Sequence, residues 1–419
     1  MISTWALLAI ALLYIGALFV IAWLGDRIKF WSNPAAGRPF IYSFSVGIYC
    51  TSWTFFGSVG LSAVSGLDFL PVYTGGIICF VLCSPLIMRI VRLAKSHNIV
   101  SVADFLAARY GKSQTVAAIV TVICLITTMP YIALQLKAVA FSFETLIGPA
   151  TLASLHLPAD IALLTALIMI VFTILFGTRH IDATEHQDGL VLAVATESVI
   201  KLAAFLAVGV LVIYHFFGGP AEFFDHARNS EKVHELISKS FNGSTWLTVT
   251  FLSFWAILLL PRQFHMIVVE NRSEAEIRLA RWLFPLYLVL INLFVFPIAV
   301  AGLEFLPSGA YRPDTFVLSL PMSAGADAIT LAAFLGGLSA ATAMIIVESI
   351  ALAIMVCNGL VAPLLLRSQL QSPSQQISMA RTLLSVRRFA IAVVLLSGYT
   401  FYHLLGPDQA LAAIGLVSF

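Results

Sequence analysis

A dense group of hydroxyl and glycine residues lies inside an apolar segment without charged residues, from Phe40 to Leu67. Glycines let two backbones approach closely, and an unwound turn of a membrane helix frees carbonyl groups that can face a cavity and bind a cation. We therefore predict a helix broken around Gly47–Ser52, with a continuous, tightly packed helix as the alternative. The group comprises Ser43, Ser45, Gly47, Thr51, Ser52, Thr54, Gly57, Ser58, Gly60, Ser62, Ser65 and Gly66.

A second small-residue segment runs from Gly336 to Thr342 and includes Gly337, Ser339 and Ala340. Such residues let a helix pack closely beside a site, and the hydroxyl groups supply hydrogen-bonding capacity there. The segment is the predicted partner of the broken helix. A simple glycine kink in a long helix is the alternative.

Several ionisable residues lie within apolar segments, where a charge is costly and therefore a candidate for function. Glu197 and Lys201 are four residues apart, so they can pair on one face of a helix. Glu348 lies deep in a later segment, whereas Lys137 and Glu144 lie near the end of an earlier one. The alternatives are that Glu197 and Lys201 only neutralise each other, and that Lys137 extends outward to the membrane surface.

Motifs of catalytic and nucleotide-binding proteins are absent from the sequence. The cysteines do not form paired CxxC motifs, and the nine histidines lack the HExxH spacing. No Walker loop, dinucleotide fingerprint or nucleophile elbow is present. We expect no catalytic residue in residues 1–419, no cofactor other than a coupling ion (Na⁺ or H⁺), and no nucleic-acid partner.

The elements that must position these residues are membrane-spanning helices. Apolar residues make up 60% of the chain and charged residues only 11%, and the mean hydropathy is +0.97, all outside the range of soluble domains. About ten apolar runs approach the length needed to cross a bilayer. They lie at residues 2–24, 40–65, 69–93, 115–141, 161–176, 190–217, 245–269, 282–305, 328–362 and 389–404, and an eleventh begins near Ala410 and is expected to continue past Phe419.

Lys and Arg residues are distributed unevenly among the connections between these spans. Most of the 23 fall on one set of alternate connections, among them Lys29, Arg38 and Arg262. The other set holds Arg228, Lys232, Lys239 and Arg312. The positive-inside rule makes the first set cytoplasmic and predicts a multi-pass protein of the bacterial inner membrane with a periplasmic N-terminus.

Two groups of five spans remain once the first span is set aside. Residues 1–39 are the extra helix with a cytoplasmic loop, residues 40–217 the first five-helix repeat, and residues 244–419 the second repeat, incomplete at its C-terminus. Because five is odd, the second repeat enters the membrane from the opposite side, which is the geometry of inverted-repeat transporters. The periplasmic loop, residues 218–243, mixes apolar and charged residues and predicts an amphipathic surface helix.

Two motifs resemble those of the sodium:solute symporter family. Residues 101–112, SVADFLAARYGK, are similar to its cytoplasmic FLxxRYG signature, and residues 130–138, PYIALQLKA, are similar to its PY…QLKA helix. Together with the span pattern, this resemblance covers nearly the whole chain. Residues 47–60, GIYCTSWTFFGSVG, and 70–75, LPVYTG, resemble more narrowly the symporter-like membrane domains that precede bacterial sensor histidine kinases.

The family resemblance implies an all-α integral membrane fold, a LeuT-type inverted-repeat helix bundle with one extra N-terminal helix. The apolar run that begins near Ala410 predicts that the bundle is truncated here in its eleventh helix. It also implies a sodium site between the two small-residue helices. The matching residues are Gly47, Cys50, Gly336, Ser339 and Ala340. Family members usually have a second hydroxyl where Ala340 stands, and the proline symporter has an aspartate where Tyr49 stands. Because sodium prefers oxygen ligands, these losses predict a weakened site and favour proton coupling or a sensory role.

The same resemblance implies that a small polar solute, such as an amino acid, binds near the bilayer midplane. The expected cavity-lining residues are Tyr49, Thr51, Trp53, Tyr73, Gln135 and Trp255. Gln263-Phe264-His265 stands where family members carry Gln-Pro-His, without the proline. We predict the membrane module of a bacterial sensor histidine kinase, with a downstream kinase domain and a response regulator as partners. A free-standing sodium- or proton-coupled symporter is the alternative.

Overall fold

The chain is almost entirely helical in the part that the structure describes. The structure is a computed structural model that describes residues 4–27, 37–148, 160–177, 187–239, 242–307, 309, 311–369, 376–406 and 409–416, and these contain no strand. Lys29 and Phe419 lie outside the described residues. The α-helices are α1 (Thr4–Arg27), α2 (Arg38–Ser45), α3 (Ser58–Ser65), α4 (Leu70–Ser96), α5 (Val102–Arg109), α6 (Gln114–Ile147), α7 (Ile161–Gly177), α8 (Asp188–Leu211), α9 (Pro220–Asn229), α10 (Glu231–Lys239), α11 (Gly243–Leu259), α12 (Pro261–Phe264), α13 (Glu274–Asn292), α14 (Val295–Phe305), α15 (Phe316–Ser323), α16 (Asp327–Met355), α17 (Ala362–Gln369), α18 (Gln376–Leu404) and α19 (Leu411–Leu416).

Membrane-spanning helices dominate this arrangement. Six helices in the described ranges are long and apolar enough to cross a bilayer, and the number is up to eight if each of two bent pairs forms one span. This confirms the predicted all-α membrane protein, although not its count of eleven spans. The second span is divided into short helices, α7 has only 17 residues, and the described part of α19 has 6.

Helix α16 lies at the centre of the bundle, and α1 lies at its periphery. The most apolar window of α16 is 94% buried, whereas that of α1 is 33% buried. α16 packs against α6, α8 and α18, and α1 packs along α8. The segment from Gly336 to Thr342 therefore belongs to the most enclosed of the six spanning helices in the described ranges.

The second span is discontinuous, as its glycines and hydroxyl residues predict. After α2, a 3₁₀ turn covers Val46–Tyr49, and Cys50 has extended backbone angles (φ −83°, ψ 97°). A π-helical turn, Trp53–Gly57, then leads into α3. The predicted break around Gly47–Ser52 is thus confirmed, and backbone carbonyl groups become available within the bundle.

The seventh span is also discontinuous, which the sequence analysis did not predict. Leu260, between α11 and α12, has extended backbone angles (φ −64°, ψ 131°), and Pro261 follows it. A residue that precedes proline is driven out of the helical region, so Pro261 was the available signal. Because α12 packs against the 3₁₀ turn Val46–Tyr49 and against α16, the two breaks are neighbours.

The loop at residues 218–243 contains two short helices, α9 and α10. Their apolar residues Phe223 and Val233 are buried in a small cluster with Ile213 and Val300. The prediction of an amphipathic helix is confirmed, with two helices in place of one. Their apolar sides cover this end of the bundle.

Candidate functional site

The side chain of Lys201 reaches from α8 to the break in the second span. Its Nζ donates one hydrogen bond to the carbonyl oxygen of Cys50 (2.6 Å) and another to that of Gly47 (3.1 Å). The side chain is buried, and so are both carbonyl-bearing residues. The carbonyl groups predicted to bind a cation therefore bind the ammonium group of this chain.

The predicted partner helix is bound to α8 one helical turn away. Ser339 Oγ donates to the carbonyl oxygen of Glu197 (2.7 Å), and Thr342 Oγ1 donates to the Glu197 carboxylate. A Cβ atom on Gly336 would lie 2.8 Å from the ring of Phe55, so only glycine fits against the helix that follows the break. α8 thus lies between the two small-residue segments and contacts both.

Glu197 and Lys201 form no ion pair within the described residues. Each of these buried residues bonds to a different neighbour: the glutamate to α16, and the lysine to the helix break. Their spacing of four residues permits a pair on one helix face, but the fold directs them to different helices.

Five of the six predicted cavity residues surround the break in the second span. The hydroxyl group of Tyr49 donates to the carbonyl oxygen of Val72 (2.7 Å), and Ser52 N donates to Gln135 Oε1 (3.1 Å). The other three are held by hydrogen bonds between the hydroxyl groups of Thr51 and Tyr131 (2.8 Å), between those of Tyr73 and Ser58 (2.6 Å), and from Trp53 Nε1 to the carbonyl oxygen of Ala412 (3.2 Å). All five side chains are buried, so they form one enclosed polar cluster.

Trp255 lies apart from this cluster, which corrects its predicted place in the cavity. Its side chain is 39% exposed and contacts the rings of Phe251 and Phe254 on the outer surface of α11. A matching position in the chain does not fix which face of α11 carries the side chain.

A buried ion pair lies beside the cluster. Arg262, in α12, is 2% exposed and donates from Nη1 to Glu348 Oε2 (2.9 Å). Its guanidinium carbon lies 4.4 Å from the centroid of the Tyr131 ring. Its place near the end of an apolar run predicts a cytoplasmic charge at Arg262, and the structure corrects that prediction. A buried glutamate such as Glu348 requires a partner, and Pro261 marked the helix break that supplies one.

Gln263 follows Arg262 on the same short helix. Its side chain is wholly buried, and in the described part of the chain neither its Nε2 nor its Oε1 has a hydrogen-bond partner. Ser52 Oγ, on the other broken helix, is also buried and has no hydrogen-bond partner among the described residues. Buried polar atoms usually have partners, so these two residues have unused capacity to bind a polar ligand.

The helices α2, α8 and α13 begin at the same end of the bundle, which we name the arginine-rich end. Hydrogen bonds between charged residues connect the helices there. Arg38 donates to Glu276 Oε1 (2.8 Å), to Asp188 Oδ1 (2.6 Å) and to the carbonyl oxygen of Glu270 (3.1 Å). Arg272 donates to the second oxygen of Asp188 (2.6 Å). Because Arg38 and Glu276 are buried, this network closes access to the break from the arginine-rich end.

Two other contacts close the opposite end. Lys137 Nζ donates to the carbonyl oxygens of Gly406 (3.0 Å) and Gln409 (2.7 Å), so it binds the connection between α18 and α19 and is only 8% exposed. Asp314 Oδ2 accepts from the backbone N–H of Leu411 (3.0 Å) at the start of α19. A Cβ on Gly60 would lie 1.9 Å from Asp314 Oδ1, so glycine is required there.

We predict that Asp314→Asn stabilises the protein near neutral pH. Burial raises the pKa of Asp314 from 3.8 to about 6, although Leu411 N–H, Arg312 and Lys137 act in the opposite direction. The folded state therefore holds its proton more tightly than the unfolded state, and this contribution to stability is lost as pH rises from about 4 to about 6. Asparagine keeps the acceptor for Leu411 and carries no charge, which predicts a gain of about 1–2 kcal/mol near neutral pH.

Thermal unfolding as a function of pH measures this effect. The variant should lose the part of the pH dependence that lies between about 4 and 6, whereas Asp225→Asn, on an exposed position of α9, should keep it. Wild-type and Asp314→Asn profiles that coincide would show that Asp314 does not titrate in this range.

The arrangement of broken helices beside a central helix defines a fold class. The chain superposes on a solved structure of the substrate-bound, outward-open state of a Na⁺-coupled sialic acid symporter, with a TM-score of 0.66 over 98% of this chain and 84% of that chain. The two sequences are 14% identical, so the likeness concerns the fold. The predicted LeuT-type inverted-repeat bundle is confirmed.

The similarity in sequence to a known protein extends over a smaller part of the chain than the similarity in fold. The chain is 23% identical over 217 residues to an uncharacterised symporter of Bacillus subtilis (strain 168), YhjB, and the match spans 52% of this chain and 41% of that protein. No protein-family model matches the chain. Both similar proteins are named symporters, which agrees with the symporter part of the resemblance in the sequence.

Proposed function

We propose that this chain is the membrane module of a secondary transporter of the symporter type, which binds and moves a small polar solute such as an amino acid. The observation that carries the proposal is the wholly buried Gln263, whose amide lacks partners within the described residues, next to two helix breaks. An unpaired buried amide costs free energy, about 1–3 kcal/mol, which a ligand with a donor and an acceptor removes. Amino acids carry both.

The neighbouring groups support the same class of solute. Thr51 and Tyr131 share a hydrogen bond of 2.8 Å that a solute hydroxyl or carboxylate can replace, and Gln135 binds the backbone N–H of Ser52. Broken helices that meet near the midplane are the usual place for a solute in inverted-repeat transporters. Tyr49, Trp53 and Tyr73 then form the apolar and aromatic walls.

The two closed ends supply the gates that transport needs. Opening at Arg38 would expose the cluster to the arginine-rich end, which we place in the cytoplasm because of the positive-inside rule. Opening at Asp314 and Lys137 would expose it to the opposite, periplasmic end. A solute that binds differently to the two open states shifts the equilibrium between them.

Uptake by proteoliposomes tests the proposal. Vesicles that contain the purified chain are preloaded with one unlabelled amino acid and diluted into a trace of the same labelled compound, and the panel covers the proteinogenic amino acids. We expect time-dependent accumulation of at least one compound, above the level in protein-free vesicles. Failure of the whole panel to accumulate would reject transport of amino acids.

A sensor function is a second candidate, carried by the resemblance of residues 47–60 and 70–75 to kinase-linked membrane domains. The symporter names of the two similar proteins favour the transporter. We propose the division into residues 1–39, 40–217, 218–243 and 244–419 for either function. A phospho-accepting histidine and an ATP-binding domain downstream of Phe419 in the parent gene would support the sensor, whereas transporter helices alone would contradict it.

A further inference from the structure

Lys201 places a positive charge at the break of the second span. We propose that its ammonium group takes the place of a coupling sodium ion, so that the chain binds its solute without Na⁺. Binding of the solute without Na⁺ rests on the proposed transport function, whereas the exclusion of sodium rests only on the geometry of α8 and the break.

The carbonyl oxygens at the break are already bound. Sodium would need the oxygens of Gly47 and Cys50, which lie 3.1 Å and 2.6 Å from Lys201 Nζ. A sodium ion on the same oxygens would lie within a few ångströms of the ammonium group. Like charges at such distances repel strongly away from water, so the two cations exclude each other.

The remaining predicted ligands do not offer a full oxygen shell. Sodium prefers several oxygen ligands. The oxygens of Gly47 and Cys50 are bound by Lys201, Ala340 has no hydroxyl group, and the hydroxyl group of Ser339 is directed to the carbonyl oxygen of Glu197. The residues present therefore do not fit sodium, whereas an ammonium group needs only acceptors and finds two.

The nearby carboxylate explains how a lysine is tolerated at this depth. Glu197 lies one turn before Lys201 on α8, close enough to offset its charge without a direct ion pair. Thr342 holds the carboxylate towards α16. Lys201 thus joins α8 permanently to the broken helix. A bound ion would connect the same two elements only while it is bound.

Thermal unfolding of the purified chain in NaCl and in choline chloride at equal ionic strength tests the proposal. The wild-type protein should unfold at the same temperature in both salts, because no sodium binds. The double variant K201A/A340S removes the ammonium group and restores a second hydroxyl. It should gain a saturable, Na⁺-specific rise of about 2–4 °C.

A matched control uses the other buried lysine that binds two carbonyl groups. The variant K137A/A340S should gain no response to Na⁺, since Lys137 contacts Gly406 and Gln409. A saturable Na⁺-dependent rise in the wild-type protein would overturn the proposal. A folded K201A/A340S protein without any response to Na⁺ would also overturn it.

The assay needs no solute, so its result is separate from that of the uptake experiment. If the double variant does not fold, the wild-type comparison still decides the question. For an amino acid that the chain transports, the wild-type uptake rate should agree within about twofold between sodium and choline. Uptake that ceases in choline would reject the inference and leave the transport function intact.

Discussion

Replacement of Arg262 by Met should lower the free energy of unfolding by about 3–5 kcal/mol, which is the cost of leaving one member of a buried ion pair alone. Arg262 and Glu348 are 2% and 0% exposed, and their charged groups lie 2.9 Å apart. The variant also removes the contact of the guanidinium group with Tyr131. Reversible denaturation of the purified protein in detergent measures the change.

Two further variants distinguish the stability lost with this ion pair from the stability lost when any arginine is removed. The double variant R262M/E348M removes both charges and should be more stable than R262M, since no charge remains buried alone. Arg92→Met breaks the exposed pair with Glu274 and should cost at most about 1 kcal/mol. Equal costs for R262M and R92M would contradict the structural role of the buried pair.

Replacement of Arg38 by Met should open the arginine-rich end and expose the helix break. Arg38 joins the beginnings of α2, α8 and α13, and its loss leaves Asp188 and Glu276 with fewer partners. A loss of about 2 kcal/mol from the closed state raises the open population by more than tenfold. Alkylation of the buried Cys50 thiol by N-ethylmaleimide should accelerate by that factor.

The labelling requires Cys50 to be the only reactive thiol. The cysteines to be replaced by alanine are Cys79, Cys83, Cys124 and Cys357. In this background Arg92→Met is the matched control, since its pair with Glu274 lies on the surface, and the labelling rate should stay unchanged. If R38M labels no faster than R92M, the Arg38 network does not hold the site closed.

The break in the second span was predictable because it depends on local sequence. Glycine and hydroxyl residues favour close packing and helix breaks inside a bundle over contact with lipid, so their density around Gly47–Ser52 indicates unwound backbone. The break before Pro261 has an equally local signal, which the sequence analysis did not use. Both helix breaks are therefore determined by residues at the break or next to it in the sequence.

The partners of the buried charges were not predictable in the same way. Lys201 bonds to carbonyl groups about 150 residues earlier in the chain, and backbone oxygens have no sequence signature. Charge counting could not separate Arg262 from surface arginines, because burial depends on where α12 packs. The orientation of Trp255 likewise depends on which face of α11 meets the bundle.

Ligand-dependent thermal unfolding tests most directly whether the region of the two helix breaks binds a solute. Against a panel of single amino acids, we predict that at least one raises the unfolding temperature of the wild-type chain and of Trp255→Ala. The same compound should have little effect on Gln263→Ala, which lacks the unpaired amide. A panel without any stabilising compound, or equal stabilisation of Gln263→Ala and the wild type, would contradict the assignment of the site.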